Sequence, residues 1–190
     1  MKKNVLGPAI VFIAALAGCS GATPVRTEYL LRAETPETAA RKEAQARIGI
    51  ARVTVAPYLD QPGLVIETET REIQPARYHQ WAEPLENSLL LYLRTEISKA
   101  LGEAVSIDGT DRSHWNQSVD VFIEELHGTV KGEALMVATF RISTRDADEA
   151  ASYRFAKRTP SAEKGYPALV DAEAQLIREL AGAIADALRN

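Results

Sequence analysis

Cysteine is almost absent: Cys19 is the only one in 190 residues. No disulfide can close within the chain, so a cystine-stabilised scaffold is excluded, and no histidine has a cysteine partner at zinc-finger spacing. Basic excess is missing too. Lys and Arg number 22 against 26 Asp and Glu. Residues 1–18 carry Lys2, Lys3 and no acid, which leaves the remainder at 20 against 26. A nucleic-acid-binding domain carries a basic footprint, and this one is mildly acidic. No apolar run is long enough to cross a bilayer, for Val5–Ala15 falls short of the roughly 20 residues a spanning helix needs. The chain also lacks G-x-S-x-G, the phosphate-cradling G-x-x-x-x-G-K-[ST], G-x-G-x-x-G and H-E-x-x-H. Its three histidines, His79, His114 and His127, sit in three separate segments. Asp146, Asp148 and Glu149 do not have the twelve-residue layout of a calcium loop. Metal, cofactor and catalytic machinery are therefore not expected, and the chain does not read as an enzyme.

What is present begins at the N-terminus. Met1-Lys2-Lys3-Asn4, the apolar stretch to Ala15 and the small residues after it have the layout of a secretory signal. The exit reads Leu16-Ala17-Gly18-Cys19 and resembles the bacterial lipobox. That resemblance implies a signal peptide over residues 1–18, a diacylglyceryl group on the Cys19 thiol, cleavage before Cys19 and acylation of its new amino group. The alternative is a buried free cysteine. Two or more acyl chains give stable anchorage where one does not, each buried CH₂ contributing about 0.8 kcal/mol. Ser20 stands where Asp would suggest retention at the inner membrane, so the outer membrane is the expected address, with the body in the periplasm.

Residues 19–27 read as a lipidated tether and residues 28–190 as one domain. Tyr29–Leu31 looks like a short first strand, and residues 34–46 read as a loop. Ile48–Val55, rich in β-branched residues, reads as a strand buried on both faces, and Ala56-Pro57 ends it because proline cannot continue a ladder. Tyr58–Gly63 is a turn by composition. Leu64–Thr68 and Arg71–Gln74 form a hairpin. Pro84 opens a helix as its first residue, with apolar positions from Leu85 to Leu101 at steps of three and four, and Gly102 stops it. Ala104–Ile107 is a short strand and 108–116 a polar loop. Alternation at Val119, Val121 and Ile123, and again from Met136 to Ile142, predicts two strands joined at Lys131-Gly132. On such a strand Glu124 and Glu125 would face opposite ways. Tyr153 and Phe155 mark another strand with Arg154 and Lys157 solvated, and a last helix starts near Pro167. The expected fold is a single α/β domain whose mixed, largely antiparallel sheet is packed by two main helices.

Pro57-Tyr58-Leu59-Asp60-Gln61-Pro62-Gly63-Leu64-Val65 and Trp81-Ala82-Glu83-Pro84-Leu85, with the lipobox and Tyr29-Leu30-Leu31, resemble the ABC-type transport auxiliary lipoprotein family. That family includes PqiC lipoproteins encoded beside MCE-domain proteins. Ile66-Glu67-Thr68 departs from it, being acidic where many members are basic. The resemblance implies a non-catalytic, outer-membrane-anchored lipoprotein serving an MCE-type (PqiABC-like) lipid transport system and contributing to envelope integrity. It also implies an MCE-domain partner and, in some members, docking as a homo-oligomer. The candidate partner-binding residues are Tyr58, Leu59, Asp60 and Trp81. Each has a plainer role as well: Tyr58 and Leu59 covering the core, Asp60 shaping the turn, Trp81 stapling the helix start. The competing function is a lipoprotein that binds a lipid or solute without an MCE partner. If Cys19 carries the lipid, Cys19→Ser leaves the chain without incorporated palmitate and free of the membrane fraction. Label retained in that variant would defeat the lipobox reading.

Overall fold

The computed structural model describes residues 25–34, 46–107, 112–147 and 149–190. The residues read above as signal peptide, lipidated Cys19 and most of the tether, together with residues 35–45, 108–111 and Asp148, lie outside the described residues. In chain order the elements are β1 (Thr27–Tyr29), β2 (Ile48–Val55), β3 (Gly63–Glu67), β4 (Ile73–Trp81), α1 (Leu85–Leu101), β5 (Val105–Ile107), β6 (Gln117–Thr129), β7 (Glu133–Thr144), β8 (Ala151–Pro160) and α2 (Tyr166–Arg189). Among the described residues the eight strands make one mixed sheet. Its long ladders, β6–β7 and β7–β8, are antiparallel, as is the β3–β4 hairpin. Parallel ladders join β1 to β4, β5 to β2, and both β2 and β3 to β6.

Both helices pack on one face of the sheet and on each other. α1 buries Leu89, Leu93 and Ile97, and α2 buries Leu176, Ile177 and Leu180, against Ile50, Val121, Ile123, Met136 and Phe140 from the strands. Each such Leu or Ile contributes roughly 1.5–3 kcal/mol relative to exposure. Pro84 caps α1 from one position earlier than expected, and Gly102, at φ 74°, ends it with its N–H on the Ser98 carbonyl at 3.0 Å. α2 begins after Gly165 at φ 105°, and its Pro167 falls in the first turn, where a missing N–H costs no helical bond.

Several expectations need correction. β1 lies two residues earlier than Tyr29–Leu31, because its register is set by β4 and Leu31 turns beyond it into the core. β4 does not stop at Gln74 but runs through Pro75 to Trp81. β1 covers only His79–Trp81, so at Pro75 the strand is an edge, where a proline is tolerated. The double burial expected of β2 holds for Ile48, Gly49 and Ile50, after which Arg52 is exposed. Arg154 and Lys157 are exposed yet paired, to Glu124 at 2.8 Å and Glu179 at 2.6 Å.

The largest departure concerns Glu124 and Glu125. The β6–β7 register slips between Ile123 and Glu125. Glu124 bonds Thr139 and Arg154, while Glu125 lies opposite Val137, which shares Thr139's face two residues away. A bulge has placed both carboxylates on the helix-free side.

Within the polar loop 108–116, Trp115 is buried against β2. A Cβ at Gly49 would fall inside the Trp115 indole. Gly49→Ala is therefore expected to cost about 1–3 kcal/mol, the usual scale of overpacking, read as a fall in Tm. Adding Trp115→Ala should relieve the clash and recover part of that loss. An unchanged Tm in Gly49→Ala would refute this packing.

Candidate functional site

β2 and β3 lie end to end along a single edge of β6. β2 pairs with Gln117–Ile123 and β3 with Gly128–Thr129, leaving Glu124 to His127 without a strand on that side among the described residues. The segment 56–62 crosses this gap. Pro57 has no N–H to extend the ladder, so the chain tightens into one 3₁₀ turn, Pro57–Leu59. Backbone bonds fix it in place: Ala56 N–H to Ile123 O at 2.9 Å, Leu59 N–H to Ala56 O at 2.8 Å, and Trp81 N–H to Pro62 O at 2.7 Å. Gly63 lies so close to β4 that a Cβ would stand 2.6 Å from the Ala76 carbonyl oxygen. The N–H of Val55 at the end of β2 is taken by Glu86 of α1 at 3.1 Å.

The turn and Trp81, separate in sequence, thus meet through Pro62. Leu59 and Trp81 are core residues at 2% and 7% exposure, Tyr58 is half-buried, and Asp60 is fully on the surface with Pro57 and Pro62. Tyr58 packs edge-on to His127, ring centroids 6.3 Å apart. Burial pushes its phenol up to about 12; the Leu126 backbone opposes this, and nearby Glu125, Glu173 and Glu67 add to it. His127 is itself buried, with Nδ1 3.1 Å from the Gly128 carbonyl oxygen and Nε2 3.4 Å from Glu125. Tyr58 stays protonated at neutral pH, and His127 is taken up by these two neighbours.

The W-A-E-P-L motif resolves into distinct tasks. Trp81 ends β4 in the core, Pro84 caps α1, and Leu85 is buried. Glu83 reaches back to the N-terminal segment, where Arg32 Nη2 donates to it at 2.8 Å and Arg32 Nη1 makes a second contact. Ser88 Oγ donates to the same carboxylate at 2.6 Å. The Arg32 bond, then that of Ser88, holds the Glu83 carboxyl down at about 2. Behind Arg32, the Tyr29 hydroxyl shares a hydrogen bond with His79 Nδ1 at 2.9 Å, and His79 stacks on Tyr166 of α2 at 4.0 Å. The segment that follows the tether is therefore fastened at two points.

Among the described residues no three of His, Cys, Asp and Glu converge to hold a metal ion. A surface depression of about 560 Å³ lies elsewhere, floored by Ile66, Gly128 and Leu169 and rimmed by the β6–β7 turn and the loop before α2.

One site residue escaped the sequence reading. Glu173 stands in the apolar stripe of α2, between Leu169 and Leu176, at 1% exposure. A carboxylate four residues after one core leucine and three before the next was the available signal. Its Oε2 has no hydrogen-bond partner, and desolvation raises its pKa to about 8. Between the unfolded value near 4.5 and the folded one, the native state binds one more proton than the unfolded chain. Stability accordingly falls as pH rises through that window, by at most about 1.4 kcal/mol per unit. Glu173→Gln should flatten this slope and raise Tm at pH 7.5. A variant whose Tm follows the wild type from pH 5 to 8 would show that the carboxyl is not buried in its neutral form.

The fold has solved relatives. One, a crystal structure of an uncharacterized protein, superposes with a TM-score of 0.73 at 20% identity, covering 86% of this chain and 99% of that one. Another, protein XCC0632 from Xanthomonas campestris, of the DUF330 family, gives 0.62 at 14% identity, covering 84% and 90%. No curated protein matches the chain. The sequence profile of the ABC-type transport auxiliary lipoprotein component matches residues 29–185. From the end of β1 almost to the end of α2, the chain belongs to the ABC-type transport auxiliary lipoprotein family.

Proposed function

We propose that the protein is a periplasmic lipoprotein, held at the outer membrane through Cys19, that serves without catalysis as an auxiliary subunit of an MCE-type lipid transport system and so supports envelope integrity. The family match over residues 29–185 carries this reading. An auxiliary subunit needs a firm anchor point and a contact surface. Residues 56–62 suit the second role, being a loop on a rigid scaffold. Leu59 and Trp81 hold the turn from beneath, and Asp60, with the exposed part of Tyr58, is the group an MCE-domain protein would meet. A second copy of the chain is the other expected protein partner, and β8, whose only strand neighbour among the described residues is β7, offers it an open strand edge.

The competing reading, a lipoprotein that holds a lipid or solute unaided, draws on the depression beside Ile66 and Leu169. Crosslinking separates the two. A photo-crosslinker at Tyr58 in membrane-bound, Cys19-bearing protein should capture an MCE-domain protein. Asp60→Lys should lower the recovery of that partner about two- to fivefold, on the scale of an exposed charge pair. Lipid adducts alone would favour the competing reading, and adducts with the protein itself would make the turn an oligomer contact.

A further inference from the structure

β1 runs parallel to β4, with Thr27 opposite His79 and Tyr29 opposite Trp81. The chain before Thr27 therefore arrives from the end of the sheet where β4 begins. β3 finishes at that same end, Glu67 lying opposite both Ile73 of β4 and Thr129 of β6. The β6–β7 turn is tied there by the Val130 N–H on the Glu67 carbonyl at 3.1 Å, and the loop after β8 by the Ser161 N–H on the Gly132 carbonyl at 2.8 Å. Tyr166 opens α2 at this end, within one histidine ring of Tyr29. Eight residues lead from Cys19 to Thr27. Fully extended they reach at most about 26–29 Å, so an anchor at Cys19 stays within that distance of Thr27 and can hold this end against the bilayer.

The surface there has matching chemistry. Of the large apolar side chains exposed among the described residues, Val25, Ile73 and Val130 belong to this end. Val130 is 53% exposed at the tip of the β6–β7 turn, followed by Lys131, with Lys164 across the depression. An apolar tip beside lysines can sit at the boundary between headgroups and acyl chains while the ammonium groups stay in water. Glu69, Glu72 and Glu163 share the same end, so net charge does not draw it to an anionic surface.

We propose that this end is the membrane-facing surface of the domain, with Val130 at lipid-headgroup depth against the zwitterionic leaflet that holds the Cys19 acyl chains. The proposal rests on the lipid-anchor reading of Cys19. One valine cannot hold a protein on a membrane; the contact orients a body that the anchor already holds. It also points the opposite end of the sheet, where α1 and α2 finish, away from the bilayer.

The test uses the acylated full chain in vesicles of phosphatidylcholine and phosphatidylethanolamine. Acylation consumes the only native thiol, so Val130→Cys provides one site for a nitroxide, and Phe122→Cys, exposed on the helix-free face of the sheet, provides the control. Power-saturation spectroscopy should give the Val130 label at least a threefold higher ratio of oxygen to water-soluble nickel accessibility than the Phe122 label, with little change in 0.5 M salt. Lys131→Cys gives a second tip position should Val130→Cys fold poorly. Equal, water-like ratios at the tip and the control in acylated protein overturn the orientation alone. A purified protein whose mass shows no acyl groups overturns the anchor reading and the orientation with it.

Discussion

The structure depends on one unequal pairing. β6 is a strand of thirteen residues, while its partners on one edge, β2 and β3, have eight and five. Buried backbone groups left without partners are costly, so the interval between β2 and β3 has to be closed by something other than a strand. A proline-bounded turn closes it, and the β6 bulge lies opposite the same interval. Bulge and turn together shape the middle of the sheet: they bring Glu124 and Glu125 to one face, bury His127, and leave Asp60 outside.

Much of this was legible in the sequence. α1 and α2 declare themselves through apolar stripes and their glycine and proline stops, and β6 and β7 through alternation around Lys131-Gly132. The helices and most of β6 bury one face, and burial on one face leaves a period; β7 alternates only from Ala138 onward, being buried on both faces from Ala134 to Ala138. What stayed hidden were features set by distant partners. β1 takes its register from β4, some fifty residues away, so its own apolar residues misplace it. Pro75 looks like a strand end, yet it lies where β4 has no neighbour on one side. The bulge at Glu124 leaves no local mark because its cause is the pairing geometry with β7. At the candidate site, the two distinctive motifs were visible but their junction through Pro62 was not, and Glu83 of W-A-E-P-L shows its purpose only once Arg32 is beside it.

The buried ionisable groups follow one pattern. Burial holds Tyr58 and Glu173 in their neutral forms, whereas Glu83 is held ionised by Arg32 and Ser88. The first two lie under the turn and within the helix–sheet interface, where a charge would be costly. The third sits near the surface, where a carboxylate is cheap to keep and serves as a fastening. Neutral groups inside and paired charges at the attachment points suit a body whose task is to keep its shape.

β1 contains only three residues, yet whatever joins the body to its N-terminal segment passes through it. Because it lies parallel to β4, a pull along its axis from the N-terminal side loads its hydrogen bonds in shear. They must give way together instead of unzipping one after another. Beyond them in the load path stand buried Leu31 and the Arg32–Glu83 pair, which resist the same displacement at the start of α1. A short strand so placed works as a mechanical fuse with a latch behind it, and a load on it passes through Trp81 both to the base of α1 and to the turn that carries Asp60.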